Sequence, residues 1–521
     1  MKTWKKHGLL LLSIILAITL VLAGCGSGSG SGSGSSDTTG GSSNSGGSSG
    51  GSDSGSADSE PLTVKIVTQQ VNEAPPPDNE FELMLEELLG AKLDIQWTPG
   101  SAYDDKVSVM IASGDLPDIL MVGYSATYLG AIRDGLFWEV GPFINDYPNL
   151  AELNPLYYDN IKVDGKVYGI PIFRTLARSG IIYRKDWFDK FGLDVPKTTE
   201  EWYEVHKAIV EGDANGNGMR DEYALMLSKS SFDLSVSSFM NRLAVSLGAP
   251  NMWGEQDGQL VPSFMTPEYR DVLAMFRRLY VENLINRDFA ITENSQTDDQ
   301  WTAGNVGVQV VVANNAFSRS EDVKNIEGAE VDVAPLQNTE GRRVAAETGN
   351  NGFLVFPKST VKTEEHLREL LRIIDRMLDE DVATLLSLGI EGVHWERKGE
   401  NGVWKDYDAF FRDVKPYRDR LINMEVGGKS VPLEREPIAQ KALEVTMTNL
   451  DYMIPNPALT YSSATYTERG AELNQMIVDA QIKYVMNEID DDGFDQEIQK
   501  WLDAGGSQII ADYTEQYNAG P

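Results

Sequence analysis

The sequence predicts an α/β fold built on a parallel sheet, and three strand-like stretches separated by two helical ones predict it. Residues 62–67 alternate apolar and polar side chains as a half-buried strand does, whereas 81–89 repeats Phe81 and its leucines at helical spacing. Residues 92–97 read as a second strand. Residues 103–112 read as a second helix, stopped by Ser113-Gly114, and 118–122 as a buried third strand that emerges at Gly123-Tyr124-Ser125. Strand and helix alternating in this way require right-handed crossovers and parallel pairing. In such sheets a ligand sits beyond the carboxyl ends of the strands, which makes Tyr124 and Ser125 candidates for a site.

Past Pro357 the pattern turns helical, with helices expected over 363–388, 437–452, 467–487 and 493–504. Asp490-Asp491-Asp492 reads as a solvated turn and N-cap for the last of these. The chain also has a distinctive start. Lys2, Lys5 and Lys6 precede an apolar run over 9–22, too short to span a bilayer, so residues 1–24 read as an export signal. From 26 to 59 the sequence is almost entirely Gly, Ser, Asp and Thr. Such a segment has nothing to bury against the entropy of ordering it, so 25–60 reads as a flexible tether with a reach of about 30 to 35 Å.

Charge and cysteine content then exclude whole classes of function. The 79 acidic against 45 basic residues leave a net charge of −34, which opposes binding to nucleic acid or anionic lipid. Cys25 is the only cysteine, so no disulfide, cysteine-ligated metal or thiol nucleophile is expected in the body.

Leu22-Ala23-Gly24-Cys25 resembles the lipobox of bacterial lipoproteins. That resemblance implies cleavage before Cys25, lipidation of its thiol, and tethering on the outer face of the cell membrane by two acyl chains. The alternative is an ordinary secretory signal with an incidental cysteine.

Further along, Ser113-Gly114-Asp115-Leu116-Pro117-Asp118, Asp164-Gly165-Lys166-Val167-Tyr168-Gly169-Ile170-Pro171 and Ile182-Tyr183-Arg184-Lys185-Asp186-Trp187-Phe188 resemble landmarks of family 1 extracellular solute-binding proteins. Gly304-Asn305-Val306-Gly307-Val308, the stretch 349–356 and Gly389-Ile390-Glu391-Gly392-Val393-His394-Trp395 continue the series in order. The resemblance implies a two-lobed, type II periplasmic-binding-protein-like fold with hinge-connected lobes and a ligand cleft between them. It places 61–170 plus 305–347 in lobe 1 and 171–304 plus 348–521 in lobe 2, with crossings near 168–173, 308–314 and 348–352. It implies a monomeric, lipid-anchored, extracellular oligosaccharide-binding protein that delivers its ligand to ABC permease subunits in the membrane and catalyses no reaction. The alternatives from other classes are a cell-surface glycoside hydrolase or lyase and the ligand-binding subunit of a sensor system.

The sharpest local signal is 213–222. Asp213, Asn215, Asn217, Asp221 and the carbonyl of Met219 occupy the oxygen-ligand positions of an EF-hand loop, with Gly218 at its sixth position. Position twelve is Ala224 instead of glutamate, and Glu222 is the substitute. A structural Ca2+ is therefore expected on Asp213, Asn215, Asn217, Met219, Asp221 and Glu222, against the alternative of a plain Asn-Gly turn. The pattern is also similar to a structural calcium loop of the solute-binding family.

Sugars offer apolar faces to aromatic rings and hydroxyls to amides, carboxylates and guanidinium groups. By position, Tyr124, Ser125, Arg174, Trp253, Trp301, Asn314, Asn350 and Trp395 are the candidate ligand contacts, with Phe173, Asn315, Asn351 and Trp404 beside them; packing or a solvated loop is the alternative for each. His206, His366 and His394 are scattered, which leaves no material for a zinc site or a Ser-His-Asp triad. Glu391 and Glu396 are the carboxylates a glycosidase reading would use.

Overall fold

The computed structural model describes residues 61–424 and 427–520; the stretches read above as export signal and tether, with Cys25, lie outside the described residues. The strands Leu62–Gln69, Ala91–Thr98 and Ile119–Val122 pair in parallel, as the alternation requires. Two later strands extend this sheet. Asn350–Val355 runs antiparallel to both Ile119–Val122 and Gly169–Phe173. Gly169–Phe173 is therefore parallel to the first three, and the exits of Gln69, Thr98, Val122 and Phe173 share one edge with the entry of Asn350. The Tyr103 hydroxyl, 2.7 Å from the Met121 carbonyl and 3.1 Å from that of Val67, fastens the helix Gly100–Ser113 across two strands.

A second sheet is wholly antiparallel, with Ser179–Arg184 between Val308–Val312 and Val331–Ala334. Its central strand serves two clusters, because successive side chains face opposite ways: Ile181 joins one and Ile182 the other. The helices Thr199–Glu211, Pro267–Val281 and Ala464–Val485 cover the larger cluster. Asp490 caps the helix Asp491–Trp501, its Oδ1 accepting from the Gly493 N–H at 2.9 Å. A further helix, Ser507–Ala519, follows.

Each sheet has its own core, which corrects the expected partition. The first core gathers residues from 64–176 and 353–422, and the second gathers residues from 181–336 and 458–513. Segment 305–347 therefore belongs with the second sheet, and 350–424 with the first. The reason is pairing: Val308–Val312 finds its partner in Ser179–Arg184, while Asn350–Val355 inserts beside Ile119–Val122. The chain passes between cores at 174–178, 346–349 and 434–436, so 308–314 is a strand and turn of the second core and not a crossing. The helix expected over 363–388 is two, Glu364–Arg376 and Glu380–Leu388, because Asp379 takes an extended backbone between them.

The first two of these crossings are held by one carboxylate. Glu347 accepts from Arg178 Nε at 2.8 Å and from an Arg242 terminal nitrogen at 2.7 Å, and its own N–H donates to the Leu176 carbonyl at 2.7 Å. The Glu347 and Arg242 side chains are both more than nine-tenths buried. Gly349 follows with φ +73°, and a Cβ there would lie 2.5 Å from Leu176 Cδ2, so only glycine fits. Removing the charge leaves two guanidinium groups partly unpaired, and Glu347→Gln should cost about 3 kcal/mol or more in denaturant unfolding. Lys229→Gln, which breaks an exposed pair with Glu293, should stay within about 0.5 kcal/mol. Equal, small effects of both substitutions would contradict a structural role for Glu347.

Candidate functional site

Tyr124 and Ser125 leave the first sheet at the shared edge. Ser125 Oγ accepts from the Tyr128 N–H at 3.4 Å and so caps the helix Ala126–Arg133. The Tyr124 ring stands edge-on to Phe353, and its hydroxyl lies 3.0 Å from the Lys162 carbonyl and 3.4 Å from that of Thr460, next to the second core. A cavity of about 530 Å³ opens here, lined from the first core's side by Tyr124, Ser125 and Leu129. Trp253, Tyr461, Tyr466 and Tyr513 line it from elements of the second core's side. Trp253 and Tyr513 meet edge-to-face at 5.0 Å between ring centres, and Tyr461 lies 6.4 Å from Tyr513. Apolar ring faces beside hydroxyls and the Asn456 and Asn474 amides suit a sugar better than a purely apolar ligand.

Ser235 connects this cavity to a second of about 420 Å³ with a hydroxyl-rich wall of Ser228, Ser230, Ser237 and Ser238. Gln309 contributes a buried Oε1 that has no hydrogen-bond partner. Asp233 stands in the same wall, its carboxyl pKa raised by desolvation. A third cavity, of about 370 Å³, lies where the strand Gly169–Phe173 ends, and holds Phe173, Arg174, Asn351 and Trp404.

Several candidates lie elsewhere. Trp301 is fully buried and donates from Nε1 to the Arg319 carbonyl at 3.0 Å, which makes it core. Trp395 is also buried: its Nε1 donates to the Gly389 carbonyl at 2.9 Å, and its ring fills space that the missing side chain of Gly402 leaves open. A ring with both its polar edge and its faces occupied cannot stack on a ligand. Asn314 is exposed and accepts from Thr446 Oγ1 at 3.2 Å. The Asn350 amide folds back onto the Thr348 carbonyl at 3.1 Å. Neither asparagine lines any of the three cavities. Tyr461, Tyr466 and Tyr513 were missed because two of them sit in helices; the one signal was a cluster of tyrosines near the C-terminus.

The oxygen-rich loop is held by hydrogen bonds from its own backbone to its side-chain oxygens. Asp213 adopts φ 50° and Gly216 φ 74°, and the side-chain oxygens of Asp213, Asn215 and Asn217 accept from the N–H groups of Gly218, Asn217 and Met219 at 3.1, 3.0 and 2.7 Å. Two features fit a hard cation. Asp213 Oδ1 is buried with no partner, and Glu222, 1 % exposed, accepts only from the Asn215 and Asp221 N–H groups with no basic side chain beside it. Among the described residues no three His, Cys, Asp or Glu side chains form a metal-binding cluster, so amide and carbonyl oxygens would have to complete the set. None of these residues lines any of the three cavities.

The groups a catalytic reading would use are engaged otherwise. Burial pushes the His206 pKa down to about 4, and its Nδ1 lies 2.7 Å from the Trp202 carbonyl. Glu391 and Glu396 face Arg397 and Lys405 at the surface.

Comparison with known proteins agrees with this picture. Residues 79–373 match the family model for bacterial extracellular solute-binding proteins. Lipoprotein LipO of Bacillus subtilis is 32% identical over 89% of this chain and 94% of its own length. The polygalacturonan/rhamnogalacturonan-binding protein YtcQ of the same organism is 33% identical over 86% and 89%. An HMO-binding, ABC-transporter-associated solute-binding protein from Bifidobacterium longum infantis superposes with a TM-score of 0.69 at 17% identity, over 88% of this chain and 99% of that one. The chain belongs to the bacterial extracellular solute-binding proteins.

Proposed function

We propose that the chain captures an oligosaccharide between its two cores and presents it to the permease of an ABC importer. It is a binding protein and not an enzyme. The observation that carries this reading is the 530 Å³ cavity, where Tyr124 from one core faces Trp253, Tyr461 and Tyr513 from the other. A ligand touching both walls would favour their approach, the hinge closure such proteins use. The names of the relatives support a carbohydrate, since YtcQ is named a polygalacturonan/rhamnogalacturonan-binding protein and the Bifidobacterium protein an HMO-binding one.

The same reading takes Cys25 as a lipid anchor on the extracellular face of the cell membrane and the Gly/Ser tether as slack between anchor and body. LipO, a lipoprotein, supports the anchor. It also takes the body as a monomer and the loop 213–222 as a structural Ca2+ site on Asp213, Asn215, Asn217, Met219, Asp221 and Glu222. The unpartnered Asp213 Oδ1 and the buried, cation-free Glu222 support the last of these.

Calorimetric titration with oligosaccharides should give saturable binding and no product. Trp253→Ala and Tyr461→Ala should each weaken it by about 1 to 3 kcal/mol with the fold intact by circular dichroism. Trp395→Ala should instead lower stability by about 3 to 5 kcal/mol, the cost of emptying a core site. Wild-type affinity in both cavity variants would remove this cavity from the site.

Calcium affinity should be weak without a glutamate at position twelve, with a Kd of roughly 10⁻⁵ to 10⁻³ M. At ten times that concentration the ion would add about 1.4 kcal/mol, or about 2 °C in Tm for a body of this size. Chelation should remove that increment and Asp213→Ala should abolish it, while sugar affinity changes little. A Tm indifferent to calcium would reduce the loop to a turn.

A further inference from the structure

The cavity of about 530 Å³ and the hydroxyl-rich one of about 420 Å³ meet at the segment 233–238. Leu234 and Val236 line the first, Asp233, Ser237 and Ser238 line the second, and Ser235 lines both. Ser235 Oγ lies 3.2 Å from Ser237 Oγ, so hydroxyl groups continue from the aromatic cavity into its neighbour.

The wall beyond Ser235 is rich in acceptors. Ser228 and Ser230 both donate their hydroxyl protons to Asn294 Oδ1, at 2.6 and 2.9 Å, which leaves their oxygens as acceptors towards anything else. Gln309, 9 % exposed, holds an Oε1 with no hydrogen-bond partner among the described residues. Asp233 adds a carboxylate. The other charged groups of this lining are engaged with one another or with neighbours: Arg242 pairs with Glu347 at 2.7 Å, and Arg319 with Asp298 and Asp322 at 2.5 and 3.1 Å. Asp233 has no charge partner among the described residues, and desolvation is the one influence that moves its pKa, upward.

Acceptors call for donors. A sugar unit carries hydroxyls on adjacent carbons, and two of them can donate to one carboxylate in charge-assisted hydrogen bonds. An apolar group would leave these acceptors unpaired, and a carboxylate would be repelled by Asp233.

We propose that the serine-walled cavity is a second subsite for the same ligand, in which Asp233 accepts from the hydroxyl pair of an uncharged sugar unit while another unit lies beside Trp253, Tyr461 and Tyr513. The proposal rests on the carbohydrate-binding reading and extends it: the ligand reaches across Ser235, so a chain of several units is held more tightly than its own disaccharide. The test is calorimetric titration of the full chain with fructo-, galacto-, xylo- and malto-oligosaccharides and with oligogalacturonates, each from the disaccharide to the hexasaccharide. A series that binds should gain about tenfold or more in affinity from its disaccharide to its longer members. Asp233→Asn keeps the shape of the side chain but exchanges one acceptor for a donor, so it should remove that gain while melting like wild type. Trp253→Ala should weaken every length. A gain with length that survives in Asp233→Asn, or a series bound equally at every length, would overturn the subsite and leave the aromatic cavity as the whole site. An oligogalacturonate bound more tightly by Asp233→Asn than by wild type would place a carboxylate against this side chain and overturn it too. No binding by any of these sugars would instead reject the carbohydrate reading itself.

Discussion

The fold depends on a single buried carboxylate at the place where its chain crosses. Glu347 joins Arg178 of the first crossing to Arg242 of the helix Phe239–Ser246, and its amide reaches back to Leu176. Ala346, one residue earlier, donates to the Ile454 carbonyl and accepts from Asn251 Nδ2, so the residues leading into helix Ala464–Val485 are tied to the same point. A charge-assisted set of this kind restricts where the segments between the two cores can go while leaving the cores to pack on their own. A hinge closure would then concentrate motion at these few residues.

The candidate ligand contacts come from separate parts of the chain. Strands exiting one edge of the first sheet supply Tyr124 and Arg174, and helices near the C-terminus supply the facing aromatic wall. One cavity is aromatic, its neighbour is lined with serine hydroxyls, and the third has Arg174, Lys415, Arg418, Asp419 and Arg435 among its described lining residues. The oxygen-rich loop stands apart from all three, at the end of a helix that packs in the second core.

What the sequence made legible follows from how local each feature is. The first three strands were readable because each apolar pattern, alternating in the first and uniform in the third, is complete within eight residues. The oxygen-rich loop was readable as a local motif because all its oxygens fall within ten consecutive residues. Lobe membership was not, because nothing in the apolar run Gly352-Phe353-Leu354-Val355 says whether it pairs with Ile119–Val122 or with the second sheet; that choice is made by residues more than 200 positions away. Trp301 and Trp395 show the same limit from the other side. Their positions near landmarks suggested a cleft, but burial was decided by the Arg319 and Gly389 carbonyls that accept their N–H groups. Tyr461 and Tyr513 become neighbours only through the packing of the C-terminal helices.

The central claim is that ligand draws two separately packed cores together about crossings pinned at Glu347. Small-angle scattering of the purified protein, with and without a saturating oligosaccharide, tests it most directly. The account predicts a fall in radius of gyration on saturation, reversed when the sugar is removed by dialysis. A radius of gyration unchanged at full occupancy would contradict it.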